Sequence, residues 1–105
     1  MTAALEAGKP VDVAYSGYAA DSLGNKRAGQ IAFAVASEHV ERVALVSDDA
    51  IRDAQRRLWD SIRVFAEPGG ATSFAALLAQ AYVPEPDEHV VVLVCGANGD
   101  LAAIS

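Results

Sequence analysis

Several residue types and patterns that mark whole classes of protein are scarce or missing in this sequence. Cys95 is the single cysteine, so no intramolecular disulfide can form, and such a composition suits a reducing compartment. No run of about 18 apolar residues occurs, which predicts no membrane span. The N-terminus also lacks the basic-then-apolar pattern of a secretory signal. We therefore expect a cytoplasmic protein with no membrane partner.

Basic residues are few as well. The sequence has 8 lysines and arginines against 14 aspartates and glutamates, with a formal net charge of −6. Nucleic-acid-binding proteins concentrate basic residues to neutralise phosphates, so no nucleic-acid partner is expected. Four arginines share one predicted helix with acidic residues, which is more typical of a solvated helix face than of an anion site. These are Arg52, Arg56, Arg57 and Arg63.

Histidines are too few and too isolated to suggest a metal site. His39 and His89 stand alone, without the spacing of metal ligands. Nucleophile-elbow and phosphate-loop motifs are missing from the 105 residues too. The sequence therefore predicts no bound metal and none of these catalytic classes.

Apolar residues, in contrast, are plentiful. Hydrophobic residues make up 52% of the chain, enough to bury a core in one domain or in part of a larger one. Residues 43–46 and 90–95 are continuous apolar runs, typical of parallel strands that are covered on both faces. Residues 11–14 are a weaker strand candidate. A loop is predicted at residues 16–25.

Helical spacing is clearest in the middle of the chain. A helix is predicted from Ser47, whose hydroxyl should cap it, with the acidic Asp48 and Asp49 favourably placed near the positive end of the helix dipole. Its apolar face recurs at helical spacing. That face consists of Ile51, Ala54, Leu58, Ile62 and Phe65.

Further helices are predicted on either side of this one. They cover residues 2–8, ended by Gly8, then residues 27–38 as a buried helix, and residues 71–82. The last is apolar on nearly all faces and should be widely covered. The Glu-Pro-Gly-Gly sequence at 67–70 is interpreted as the break before it, and residues 84–88 as an acidic surface loop.

The alternation of strands and helices predicts an α/β fold. Two strong strands and one weak strand are few for a free-standing sheet. We therefore expect a partial parallel sheet with flanking helices. Its remaining strands should lie elsewhere, before Met1 or on a partner chain.

Candidate ligand-binding residues lie where strands end, since ligands of open α/β sheets bind in a crevice outside the carboxyl ends of the strands. Cys95 and the small residues that follow it lie at such an end. The Cys95 thiol is interpreted either as a weak hydrogen-bond partner in the crevice or as a small buried hydrophobe. Glu67 either faces the same crevice or ends a helix in water.

Three stretches in register resemble a known family. They are Ala-Asp-Ser-Leu-Gly at 20–24, the region from Val-Ser-Asp-Asp-Ala-Ile at 46–51 to Glu-Pro-Gly-Gly-Ala at 67–71, and Val-Leu-Val-Cys-Gly-Ala-Asn at 92–98. Together they resemble the pyridoxal-phosphate-dependent threonine/serine dehydratases of fold type II, the tryptophan-synthase-β-like class. The similarity covers residues 1–105 and corresponds to the C-terminal portion of the large cofactor-binding domain.

The resemblance implies a reaction and a cofactor site. Enzymes of this family convert L-threonine to 2-oxobutanoate, or L-serine to pyruvate, with release of ammonia. It implies that Cys95 contacts the pyridine nitrogen of pyridoxal phosphate and that Glu67 lies near the cofactor. Gly96 and Asn98 are then expected to shape the loop beside it.

The departures from the family pattern are equally informative. The imine-forming lysine of the family lies in a Ser-x-Lys-x-Arg setting, which neither Lys9 nor Lys26 has. The glycine-rich phosphate loop and the asparagine loop for the substrate carboxylate are missing from these residues too. We therefore expect a fragment without catalytic residues that binds pyridoxal phosphate weakly or not at all. The amino-acid substrate belongs to the intact parent enzyme.

An alternative is a stand-alone interaction module. The apolar side chains that the chain cannot bury by itself would be covered by dimerisation or by pairing with a full-length dehydratase subunit. The partner of the module is then the remainder of a dehydratase or a second copy. A small α/β enzyme with Cys95 as nucleophile is disfavoured, because the sequence shows no neighbouring base to activate the thiol.

Overall fold

The computed structural model describes residues 1–104 and is helical and irregular over that range. None of its helices is long and apolar enough to cross a bilayer. The elements are α1 (Thr2–Ala7), α2 (Ala20–Leu23), α3 (Gln30–His39), α4 (Asp48–Ile62), α5 (Pro68–Leu78) and a final short 3-10 helix, η1 (Leu101–Ile104).

Helix α4 follows the sequence prediction closely at its start. The Ser47 hydroxyl accepts a hydrogen bond from the Ala50 N–H at 3.1 Å, so one of the free donors of the first turn is satisfied. The helix ends at Ile62 because Arg63 adopts the left-handed conformation, with φ 55°. The placement of Phe65 on the apolar face was wrong, because Phe65 lies beyond the helix end, and Ile62 on that face is 63% exposed.

The charged face of α4 is a solvated face with paired side chains. Arg57 lies 3.0 Å from Asp53, and Arg63 lies 4.0 Å from Asp60, as the i,i+4 and i,i+3 spacings suggest. All four side chains are at least half exposed. Exposed pairs of this kind contribute little to stability.

Helix α5 begins earlier than predicted. The Glu-Pro-Gly-Gly sequence is not a break before the helix but its beginning, with Pro68 in the first turn. Proline suits that position because its missing N–H would be unpaired there and its φ is already helical. The helix also ends at Leu78, four residues before the predicted end.

The core lies where α4 packs against α5. It is built from small and medium-sized apolar side chains, and Val46 and Val94 pack on it from the two predicted strands. The buried members are Ile51, Ala54, Leu58, Ala66, Ala71 and Ala75. Alanines dominate on α5, so the two helices approach closely.

The N-terminal part of the chain contains three helices. Helix α1 ends at Gly8, whose φ of 74° is the left-handed helix cap that glycine favours. The predicted loop 16–25 was wrong in part, because it contains α2. Helix α3 is present, but its predicted burial was wrong: Ile31 is 84% exposed and Ala36 is its one buried residue.

The predicted sheet is not confirmed. Residues 1–104 contain no strand, and pairing is confined to one antiparallel bridge between Asp12 and Arg27. Yet exposure alternates along residues 90–94, where Val91 and Leu93 are 94% and 72% exposed and Val92 and Val94 are partly buried. Alternation with period two is typical of an extended strand. The segment therefore has the side-chain pattern of a strand without a hydrogen-bonded neighbour.

The hydrogen bond between Ser47 and Ala50 should stabilise the start of α4. Ser47→Ala should lower the free energy of unfolding by about 1 kcal/mol, since the Ala50 N–H loses its acceptor. Urea denaturation followed by Trp59 fluorescence measures the change. Ser61→Ala is the matched control, because Ser61 is exposed near the end of the same helix. An equal loss in both variants would contradict a capping role.

Candidate functional site

The beginning of α5 is joined to the loop after the last apolar run. The Glu67 N–H donates a hydrogen bond to the Gly96 carbonyl oxygen at 3.0 Å, and the Cys95 N–H donates to the Gly70 carbonyl oxygen at 3.4 Å. These two bonds bring together the residues 67–70 and 95–96, which we call the junction. Three of the four residues predicted to contact the cofactor, Glu67, Cys95 and Gly96, thus lie in one place.

Glycine is required at two positions of the junction. A Cβ on Gly70 would lie 2.7 Å from the Cys95 carbonyl carbon and would overlap its oxygen. Gly96 has a φ of 72°, and a Cβ there would lie 2.7 Å from the Glu67 carboxyl carbon. The two glycines therefore permit an approach of backbone to backbone, and of backbone to carboxylate, that other residues would prevent.

A cavity of about 400 Å³ adjoins the junction. This volume is in the range of small-molecule sites. Glu67 and Asn98 both line the cavity, whereas Cys95 and Gly96 stand beside it. Polar side chains of α2 and α4 and the residues before η1 complete the lining. The full set is Tyr18, Asp21, Ser22, Gln55, Phe65, Glu67, Pro68, Asn98, Gly99, Asp100 and Ala103.

The structure distinguishes between the alternatives that the sequence left open. The Cys95 side chain is exposed, so its interpretation as a small buried hydrophobe was wrong. Glu67 is partly buried and borders the cavity, which favours a crevice position over a solvated helix end. Both side chains are accessible to a ligand.

Helix α2 contributes a wall that the loop prediction missed. The Ser22 hydroxyl accepts a hydrogen bond from the Gly69 N–H at 3.0 Å. This bond ties α2 to the first turn of α5, where N–H groups otherwise lack partners. The similarity of residues 20–24 to the family was the available signal for this contact.

Gln55 is a second residue that the sequence interpretation missed. Its side chain is 2% exposed and bonds in two directions, accepting from the Tyr18 hydroxyl at 2.8 Å and donating to the Ala66 carbonyl oxygen at 2.9 Å. The Arg52 guanidinium lies over the Tyr18 ring, 4.3 Å from its centre. A glutamine one turn after Ile51, on the apolar face of α4, was the signal for this role.

Displaced pKa values occur at the other end of α5. The Tyr82 hydroxyl donates a hydrogen bond to Glu88, which lowers the pKa of Glu88, and the Glu85 backbone N–H lowers it further. The same bond raises the pKa of Tyr82, together with desolvation and the nearby negative charges of Glu88 and Glu41. Arg42 lies 5.2 Å from the centre of the Tyr82 ring.

The Tyr82–Glu88 contact predicts a pH dependence. The contribution of Glu88 to the stability of the folded chain is present above its ordinary pKa of 4.5 and is lost as the pH falls through the lowered value. The contribution of Tyr82 to that stability is present below its ordinary pKa of 10.0 and is lost as the pH rises through the raised value. Tyr82→Phe should therefore raise the pKa of Glu88, as measured by NMR titration of its carboxyl carbon.

The control for this titration is Tyr15→Phe, because Tyr15 is 56% exposed and distant in sequence from Glu88. That variant should leave the titration of Glu88 unchanged. Equal titration curves for Glu88 in the parent chain and in Tyr82→Phe would contradict the contact.

The sequence is similar to those of known proteins. The chain is 39% identical over 98 residues to a biosynthetic L-threonine dehydratase of Pasteurella multocida, covering 90% of this chain and 19% of that protein. It is 34% identical over 105 residues to phenylserine dehydratase of Ralstonia pickettii, covering 100% of this chain and 32% of that protein.

Solved structures agree with these relationships. The backbone matches the threonine deaminase of T.th. with a TM-score of 0.80 and 28% identity, covering 95% of this chain and 36% of that one. It matches serine racemase from Dictyostelium discoideum with a TM-score of 0.80 and 29% identity, covering 95% and 32%. The chain thus spans about a third or less of the length of these relatives.

The family described as pyridoxal-phosphate dependent enzyme matches residues 1–96, a range that includes α1 to α5 and the whole junction. The relatives found through sequence and structure are threonine dehydratases, a phenylserine dehydratase and a serine racemase. The chain therefore belongs to the pyridoxal-phosphate-dependent enzyme family.

Proposed function

We propose that this chain forms one wall of the cofactor site of a threonine/serine dehydratase, as the C-terminal portion of its large domain. Such an enzyme releases ammonia from L-threonine to form 2-oxobutanoate, or from L-serine to form pyruvate. The junction carries the proposal, because it places Cys95, Glu67 and Gly96 beside a cavity that Asn98 also lines. Its parts come from segments almost 30 residues apart that match the family in register.

The residues of the junction suit the ring edge of pyridoxal phosphate. The exposed Cys95 thiol is a neutral, weak hydrogen-bond partner for the ring nitrogen. Gly96 has no side chain to obstruct a flat ring, and Asn98 adds an amide at the cavity. When bound, the cofactor supplies the electron sink for elimination. A neutral partner leaves its ring nitrogen less protonated than a carboxylate would, which favours elimination over transamination.

The same residues do not provide a covalent anchor. Lys26 is exposed and lies 3.9 Å from Asp12, and neither Lys26 nor Lys9 lines the cavity beside the junction. No glycine-rich loop in the sequence offers backbone N–H groups to a phosphate. The chain alone is therefore expected to lack catalytic residues, to bind pyridoxal phosphate weakly or not at all, and to release no ammonia.

Two measurements on the isolated chain test this incompleteness. Pyridoxal phosphate is titrated against the chain by its absorbance, and ammonia release is assayed with L-threonine and L-serine. The expected outcome is weak or undetectable binding and no turnover. Stoichiometric binding accompanied by turnover would contradict the proposed incompleteness.

The role of Cys95 is tested in an intact dehydratase that contains this chain. Cys95→Asp should lower the elimination rate, because a carboxylate would increase protonation of the ring nitrogen. Cys95→Ser is the control, since a hydroxyl is also a neutral partner and should retain most activity. Steady-state kinetics and the cofactor absorbance spectrum give the readout. Unchanged activity in Cys95→Asp would show that residue 95 does not contact the ring.

A second candidate function is a stand-alone interaction module that dimerises or pairs with a full-length dehydratase subunit. The observation that favours it is the exposure of large apolar side chains, since Leu45 is 73% and Val91 94% exposed. Soluble monomers rarely leave such residues clustered in water. Sedimentation velocity decides: a well-folded, monodisperse monomer that binds no dehydratase subunit would count against this function.

A further inference from the structure

The loop before η1 contains the single Asn-Gly pair of the sequence, Asn98 and Gly99. Both residues line the cavity beside the junction, and Asn98 is exposed. An asparagine before glycine is chemically labile, because the backbone nitrogen of the next residue can attack the side-chain amide and glycine has no side chain to hinder that approach. The pair therefore combines reactivity with a position at the candidate site.

The Asn98 side chain is not held by the rest of the structure. Within residues 1–104, its carboxamide makes no hydrogen bond to protein. Asn25, the other asparagine of the chain, differs on both counts, since its side-chain oxygen accepts from the Arg27 N–H at 3.3 Å and Lys26 follows it. Asn98 should thus react in preference to Asn25, which serves as an internal reference.

Packing at the cavity favours glycine at position 99. A Cβ on Gly99 would lie 3.2 Å from the Cζ atom of Phe65, closer than an ordinary van der Waals contact. Phe65 is partly buried and lines the same cavity. The close approach of its ring therefore favours the one residue type that leaves Asn98 most open to attack.

The folded loop restrains the reaction without preventing it. The Gly99 N–H donates a hydrogen bond to the Ala97 carbonyl oxygen at 3.0 Å, which closes a three-residue turn around Asn98. The Gly99 nitrogen must lose its proton before it can attack, so this bond has to open first. A single local bond in an exposed loop opens at little cost in free energy.

We propose that Asn98 is a site of spontaneous deamidation, at which the folded chain converts into aspartate and isoaspartate forms. The Gly99 nitrogen loses its proton and forms a bond to the Asn98 Cγ, while the bond from Cγ to the side-chain nitrogen breaks. That nitrogen takes up the proton and leaves as ammonia, so that a cyclic imide remains. Water then opens the imide, at Cγ to give aspartate or at the backbone carbonyl carbon to give isoaspartate.

Deamidation changes the charge of the cavity. Asp21, Glu67 and Asp100 already line it, and the reaction adds a further carboxylate at residue 98. Added negative charge disfavours an anionic ligand, such as the phosphate of pyridoxal phosphate or the carboxylate of an amino acid. The isoaspartate form also lengthens the backbone by one carbon and displaces Gly99 from Phe65. This consequence for the cofactor rests on the proposed function, whereas the reaction itself does not.

The test incubates the folded chain at mildly alkaline pH and follows both asparagines by peptide mass spectrometry with fragmentation that distinguishes aspartate from isoaspartate. An unincubated sample, digested in the same way, corrects for conversion during handling. Asn98 should convert at least about tenfold faster than Asn25, a barrier difference of about 1.4 kcal/mol. Chain unfolded in guanidinium chloride should convert faster still, because the turn around Asn98 is lost.

Two results would overturn the modification site. One is equal conversion of Asn98 and Asn25, and the other is an Asn98 that stays intact in the folded chain while it converts in the unfolded chain. Either result would mean that the folded loop does not expose Asn98 to attack.

Glycine variants test the route through the Gly99 nitrogen. Gly99→Ala should slow the conversion of Asn98 at least about tenfold, because a methyl group hinders the attacking nitrogen. The variant should fold, since the obstacle is the far end of the Phe65 ring, which can shift. Gly29→Ala is the control and should leave the rate unchanged, because Gly29 lies outside the cavity. Parent-like conversion in Gly99→Ala would overturn this route.

The consequence for the cofactor is measured in an intact dehydratase that contains this chain. Asn98→Asp should raise the dissociation constant of pyridoxal phosphate roughly tenfold through charge repulsion. Asn25→Asp should leave it unchanged, because Asn25 does not line the cavity. Conversion of Asn98 combined with an unchanged constant in Asn98→Asp would overturn the cofactor consequence and leave the modification site intact. A raised constant without conversion would overturn the modification site and support the cofactor role of the cavity.

Discussion

Gly70→Ala is expected to lower the free energy of unfolding by about 3 kcal/mol or more, at the upper end of overpacking effects. The added methyl group would overlap the Cys95 carbonyl oxygen and lie 3.0 Å from that of Gly96. Both obstacles are backbone atoms, so no side-chain rotation can relieve the clash. Urea denaturation followed by Trp59 fluorescence measures the loss.

The same substitution should open the junction. Moving Cys95 away from α5 breaks its hydrogen bond to Gly70 and strains the bond between Glu67 and Gly96. Hydrogen exchange should therefore speed up at the Glu67 and Cys95 amides more than in α1, which is remote from the junction. Uniformly faster exchange would indicate a general loss of stability instead.

Gly29→Ala is the control for this experiment. Gly29 precedes α3 with a φ of −65°, and a Cβ there would meet nothing within 4 Å. Its replacement should cost at most about 1 kcal/mol, because alanine is a poorer N-cap than glycine. Similar losses in Gly29→Ala and Gly70→Ala would contradict the close approach at the junction.

Gln55→Leu is expected to cost roughly 2–3 kcal/mol. The leucine fills most of the volume but leaves the carbonyl oxygen of the fully buried Ala66 without its donor, and Tyr18 loses its acceptor. An unsatisfied buried group costs about 1–3 kcal/mol. Since Tyr18 and Glu67 line the same cavity, the variant should also loosen two of its walls. Urea denaturation measures the first effect, and NMR relaxation of Tyr18 the second.

Two further variants make the Gln55 result interpretable. Tyr18→Phe removes one of the two hydrogen bonds and should cost about 1 kcal/mol. Gln30→Leu replaces an exposed glutamine at the start of α3 and should change stability by at most about 0.5 kcal/mol. If Gln55→Leu proved as mild as Gln30→Leu, the bridging role of Gln55 would be wrong.

Local features of the fold were accessible from the sequence. The start of α4 follows from a capping serine and two acidic residues, because a helix N-terminus is stabilised by side chains a few positions away. The burial of Ile51, Ala54 and Leu58 follows from their helical period. The end of the helix was not accessible, because it depends on the left-handed conformation of Arg63, a residue that seldom adopts it.

The candidate site was partly accessible through three stretches similar to one family. They led to Glu67, Cys95, Gly96 and Asn98 as cofactor-binding residues, and the structure brings three of these together at the junction and places Asn98 at the adjoining cavity. The cofactor contacts themselves stay predictions. Gln55 was not found, because a single glutamine on an apolar helix face has no meaning until its partners are known.

By itself, the sequence indicated α1, α3, α4 and α5, the serine cap of α4 and the similarity to a pyridoxal-phosphate-dependent family, since these depend on residues near one another or on motifs in register. The tertiary structure decided that Pro68 opens a helix, that Ser22 and Gln55 bind residues far along the chain, and that a cavity adjoins the junction. It also decided that the backbone of residues 43–46 and 90–94 has no hydrogen-bond partner within residues 1–104. A helix satisfies its own backbone, whereas a strand requires a neighbour that its own sequence does not specify.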